Sequence, residues 1–164
     1  MSSPERTWPV PVHRGGGVVV VVLPLRGRCD GTVRAAAAYA MAAESRLTFA
    51  LIMPQPDLAS ASLMALPYTE LWFDYELEMT TELSELLFEM DVRWSMVPVY
   101  HPPRDMLSLV RAVDADVVLV HDCGRTGRLS LERWRTRRMA ALLADNTDAV
   151  VHLVCAPWNE PLVP

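Results

Sequence analysis

The stretch Val18-Val19-Val20-Val21-Val22-Leu23-Pro24-Leu25 decides the fold. Five consecutive β-branched residues disfavour a helix and suit the pleated, packed surface of a strand. A strand with one face in water alternates apolar and polar residues. This run is apolar throughout, as in a central parallel strand covered on both faces. The wider uncharged stretch, Gly15 to Leu25, falls short of the roughly 20 residues that span a bilayer. No small-residue cleavage site follows it, so it reads as a buried strand and not as a signal-peptide core, and the protein as cytoplasmic.

Outward from this strand, residues 1–16 are rich in Pro, Gly and Ser and read as a flexible lead-in to a domain spanning 17–156, with a Pro-marked tail at 157–164. Arg26 to Gly31 reads as a loop, and Thr32 can cap an alanine-rich helix from Val33 to Glu44. Leu47–Met53 is a second strand, ended by Pro54 and Pro56. From Tyr68 to Met90, residues Trp72, Tyr75, Met79, Leu83, Leu86 and Met90 recur at spacings of three and four, with acidic residues on the other faces. This predicts a long amphipathic helix whose aromatic and Met positions are core. Val92–Val99 is a third strand and Arg104–Val113 a short helix after Pro102 and Pro103. Asp116–Val120, Leu131–Ala144 and Ala149–Cys155 complete the alternation as strand, helix and strand. The order predicts an α/β fold, a five-stranded parallel sheet with helices on both faces. Its ligand crevice lies beyond the strand C-termini at the switch point, near the loops Arg26–Gly31 and His121–Ser130.

Composition narrows the function. A chain of 164 residues predicts one domain with a sufficient core. Its net charge of −5 argues against nucleic-acid binding. All fifteen basic residues are arginine, which points to a GC-rich bacterial genome. Cys29, Cys123 and Cys155 are odd in number and form no CxxC pair, so neither a disulfide framework nor a structural metal site is expected.

The loops exclude several five-stranded folds. Leu25-Arg26-Gly27-Arg28-Cys29-Asp30 lacks the hydroxyls of a flavodoxin phosphate loop. Leu25 and Arg26 stand where response regulators need an acidic pair, and neither a Walker P-loop nor GxGxxG is present. Ala115-Asp116-Val117-Val118-Leu119-Val120, followed by a loop with Gly124 and Gly127, resembles the fourth strand and phosphate loop of universal stress proteins. Pro24-Leu25-Arg26-Gly27 and the following Val33-Arg34-Ala35-Ala36 resemble that family's first loop and helix. The resemblance covers roughly residues 17 to 155. It implies an adenine nucleotide alpha hydrolase-like sheet of order 3-2-1-4-5 and a homodimer through the last strand, Val150, Val151, His152, Leu153 and Val154.

ATP-binding members of that family carry Gly-x2-Gly-x9-Gly-[Ser/Thr] after strand four, where backbone N–H groups and a helix N-terminus receive phosphates. The matching positions here are His121, Gly124, Trp134 and Arg135, or in the shifted register Gly124, Gly127, Arg137 and Arg138. Neither restores the motif. Arg26 replaces the aspartate that helps hold the nucleoside, and Asp30 substitutes only if the loop folds back. The resemblance therefore implies a degenerate pocket without standard ATP binding and with no other cofactor. If a phosphorylated ligand binds, Arg26, Gly27, Asp30, His121, Gly124, Gly127 and Arg135 are its candidate contacts.

Arg125, Arg128, Arg133, Arg135, Arg137 and Arg138 crowd fourteen residues. They form either a rebuilt anion site or a solvated face that pairs with the acidic helix Glu70–Glu89 of the same or another subunit. The second reading is favoured, because a helix spreads six side chains over several directions. His121-Asp122 has no nucleophile at the spacing of a nucleophile elbow and reads as polar lining. Cys29, Cys123 and His121 could gather near the crevice, but the scatter of the cysteines favours ordinary filling. The functional expectation is a non-enzymatic, universal-stress-protein-like homodimer, acting in stress response or regulation through protein contacts. The alternative is a nucleotide or phosphate sensor using the crevice.

Overall fold

The run at Val18 forms a strand, β1 (Val18–Leu23), every residue of which is buried. In the computed structural model, the residues described are 16–23, 30–54, 68–122 and 131–154. After β1 come α1 (Asp30–Ala42), β2 (Arg46–Ile52), α2 (Tyr68–Leu87), β3 (Trp94–Val99), α3 (Arg104–Ala112), β4 (Val117–His121), α4 (Leu131–Asn146) and β5 (Val150–Val154). The strands form one parallel sheet in the order β3-β2-β1-β4-β5. The expected α/β alternation and strand order are both present.

Period-two alternation divides the core. Val19, Val21, Leu23, Leu47, Phe49, Leu51, Val117 and Leu119 pack beneath α1 and α2. Val18, Val20, Val22, Ala50, Val118 and Val120 face α3 and α4 across the other side. The buried Ala36, Ala37 and Ala40 of α1 let that helix approach the sheet closely. Trp72, Tyr75 and Met79 of α2 pack against the same core, as their spacing predicts.

Several boundaries move. α1 starts at Asp30, three residues before the expected Val33, so Asp30, Gly31 and Thr32 are helical. Asp30 places a carboxylate in the first turn, where the helix dipole favours it. Thr32 is fully buried and is not the cap. β4 runs on to His121, while β3 starts at Trp94. Asp116 lies just before β4, where its carboxylate accepts the Val18 N–H (3.0 Å). A Cβ on Gly17 would run into that carboxylate, so the glycine permits the approach. The lead-in and tail expected at 1–16 and 157–164 fall outside the described residues, except for Gly16, whose N–H donates to the Glu44 carbonyl (3.2 Å).

α1 and α3 end alike. Ser45 N–H reaches the Ala40 carbonyl (2.8 Å) and Glu44 N–H that of Met41 (3.2 Å); Ala115 reaches Val110 (3.1 Å) and Asp114 reaches Arg111 (3.3 Å). These are Schellman caps. Their left-handed positions, at φ 51°, hold Glu44 and Asp114 where glycine is usual. The sequence has no glycine there to mark them.

Candidate functional site

The strand order reverses between β1 and β4, so the crevice belongs at the C-terminal end of this pair. His121 ends β4 and Asp122 follows it directly, and successive side chains of an extended chain leave on opposite faces. His121 therefore turns toward α1 and Asp122 toward α4. Each meets a different helix.

On the α1 side, His121 Nδ1 and Thr32 Oγ1 lie 2.8 Å apart, both groups buried. The bond ties the first turn of α1 to the end of β4. Thr32 itself has no exposure. On the other side Asp122 is 2% exposed. Its Oδ2 accepts from Arg133 Nε (3.3 Å) and Arg137 Nε (3.4 Å). These arginines are four residues apart, so α4 presents both on one face. His121 Nε2 and Asp122 Oδ1 are buried and lack hydrogen-bond partners among the described residues.

Of the expected contacts, Asp30 opens α1, His121 ends β4, and Arg135 is exposed on α4. Arg26, Gly27, Gly124 and Gly127 lie outside the described residues, as do Cys29, Cys123, Cys155, Arg125 and Arg128. The sequence reading missed Thr32 as a partner of His121. It placed Asp122 as lining, although it is the buried anchor of the arginine pair. The one available signal was an acidic residue ending an apolar strand within reach of an arginine-rich helix.

The arginine cluster also needs a correction. α2 packs on the α1 face and α4 on the opposite face. Within one subunit the acidic helix and the arginines of α4 are thus separated by the sheet and do not pair. Arg133 and Arg137 turn to Asp122, and the Arg138 guanidinium lies over the Trp134 ring, 5.1 Å from its centroid. A separate cavity of about 490 Å³ lies at the N-terminal ends of β1, β2 and β3, far from the crevice.

β5 is the outermost strand beside β4, with Val150 and Leu153 about half exposed at 55% and 45%. His152 Nε2 is buried without a partner among the described residues. Burial pushes the His152 pKa below its ordinary 6.5. Burial also lowers that of His121, with nearby Asp122 pulling the other way. A folded-state pKa below the unfolded value favours the neutral ring. That contribution to stability is complete above pH 6.5 and is lost as pH falls from there toward the lowered folded values. The melting temperature is therefore expected to fall between neutral and mildly acidic pH, and less so in His152→Leu. Identical pH profiles for parent and variant would remove His152 from the account.

Among the described residues no three His, Cys, Asp or Glu side chains gather as a metal site, and no helix is long and apolar enough to cross a membrane. No protein-family model matches the sequence, and no curated protein does. Solved structures do match. Universal stress protein UspA from Lactobacillus plantarum superposes with a TM-score of 0.64 at 8% identity, covering 85% of this chain and 98% of that one. A universal stress protein from Archaeoglobus fulgidus in complex with dAMP gives 0.54 at 15%, covering 84% and 96%. A universal stress protein in complex with cAMP gives 0.53 at 18%, covering 86% and 98%. The chain has the universal stress protein fold.

Proposed function

We propose that this chain is a non-enzymatic, cytoplasmic, universal-stress-protein-like domain. It forms a homodimer through β5 and acts in stress response or regulation through protein contacts, without ATP binding in the usual manner of the fold. The observation that carries this reading is the buried Asp122. Its carboxylate stands immediately after β4, where ATP-binding proteins of this type begin their phosphate loop, and it engages two arginines of α4. The carboxylate gives Arg133 and Arg137 an internal anion in place of an external one. The exposed Val150 and Leu153 on the sheet edge support the dimer.

Thermal melts with and without ATP–Mg²⁺, dAMP and cAMP test the first part. The expected result is no ligand-dependent shift. A saturable rise in melting temperature would instead favour the second reading, a nucleotide or phosphate sensor. That reading draws on two buried atoms without partners among the described residues, His121 Nε2 and Asp122 Oδ1, and on the dAMP and cAMP held by structures of the same fold. Light scattering tests the second part: a dimer is expected, and Leu153→Arg should yield monomers. A parent protein that is monomeric at every concentration would end the β5 proposal.

A further inference from the structure

α2 has a second apolar stripe beside the face it buries. Phe73, Leu77, Thr80, Ser84 and Phe88 recur at steps of four, three, four and four, so they line one flank of the helix, with Thr80 part-buried and the others exposed. Phe73, Leu77 and Phe88 are exposed at 66, 55 and 88%. The Thr80 and Ser84 hydroxyls donate to the helix's own carbonyls at Glu76 and Thr80, both at 2.7 Å. The stripe is thus uncharged, with its hydroxyl donors already used. Asp74, Glu78, Glu85 and Glu89 run along its solvent side, and no basic residue occurs between Arg46 and Arg93.

α4 carries a matching surface of opposite charge. Leu131, Trp134, Arg138 and Leu142 follow at steps of three, four and four. Leu131 and Trp134 are more than half exposed. Arg138 covers the Trp134 ring, and the exposed Arg135 lies alongside. The two stripes lie on opposite faces of the sheet.

We propose that they meet between molecules: the second stripe of α2 on one copy docks along the outer stripe of α4 on another. Aromatic and aliphatic side chains form the centre of the contact, and acidic residues on one side face arginines on the other. The contact is heterologous, and because its two halves point in opposite directions it propagates instead of closing. The α4 stripe spans about 16 Å of helix, so the contact is small. It falls below the roughly 1,200 Å² of stable interfaces, which makes the association concentration-dependent and weakened by salt. It is independent of β5 pairing.

Sedimentation velocity of the full chain at increasing concentration, in low and high salt, tests this. The weight-average mass is expected to climb with concentration in low salt and to return to that of the base unit in high salt. Phe73→Ser/Phe88→Ser should abolish the climb, and so should Leu131→Ser/Trp134→Ser. These positions are exposed, so the variants should keep the parent's circular dichroism; Arg135→Glu serves in place of any that does not. An equimolar mixture of the two double variants should regain association, since one retains α2 and the other α4. A mass indifferent to concentration and salt, or a mixture no larger than its components, would overturn the proposal. Loss of the β5 dimer would show separately, as a base unit of one chain instead of two.

Discussion

Asp122→Ala is expected to cost about 2 kcal/mol of folding stability. The magnitude follows from where each partner sits. Removing one member of a fully buried pair costs roughly 3–5 kcal/mol, because the other charge is stranded, whereas an exposed pair contributes about 0–1 kcal/mol. Asp122 is almost wholly buried, but the side chains of Arg133 and Arg137 are 40% and 55% exposed. After the substitution both can turn to water, so the loss falls between these limits. Arg133 also lies in the first turn of α4, where the helix dipole disfavours a cation that Asp122 offsets. Asp122→Asn keeps the shape and one acceptor, and should lose less. Urea denaturation measures both. The alanine variant also removes the carboxylate that Arg137 and Arg133 share, so inorganic phosphate should raise its melting temperature more than the parent's. A change within about 0.5 kcal/mol would mean that the arginines gain nothing from the buried carboxylate.

Phe49→Ala should have the larger effect, about 3–5 kcal/mol, a substantial part of the 5–15 kcal/mol typical of a domain. Phe49 lies in the middle of β2 with no exposure. Its ring meets Trp94 of β3 edge-on, with centroids 6.0 Å apart and planes at 73°. The truncation removes apolar area, that ring contact and a filled volume together. Surrounding β-strand backbones are held by their ladders on both sides and cannot collapse into the space. Phe49→Leu keeps most of the volume and should cost about 1 kcal/mol. Equal losses for Ala and Leu would show that ring geometry, and not cavity formation, dominates. Neither substitution should alter the Asp122 cluster, which lies past the C-terminal end of β4 and on the other face of the sheet.

The secondary-structure elements were legible in the order of residues. Five valines in a row cannot alternate, so β1 had to be covered on both sides; spacings of three and four in Trp72, Tyr75 and Met79 could only bury one side of a helix. These are local properties, set by chain geometry at periods of 2.0 and 3.6. The resemblance at Ala115–Val120 added the strand order, which periodicity does not contain. Local reading failed wherever the determining contact was remote. Thr32 looked like a cap because its neighbours in sequence are helical; it is a buried partner of His121, 89 residues away. Asp122 looked like loop polarity until α4 brought Arg133 and Arg137 onto it. Glu44 and Asp114 hold left-handed caps without the glycine that marks them, because the hydrogen bonds of the helix end fix that conformation whatever the side chain. Which charges meet was left to the assembled fold: a sheet stands between α2 and α4, and oppositely charged helices separated by a packed core do not pair within one molecule.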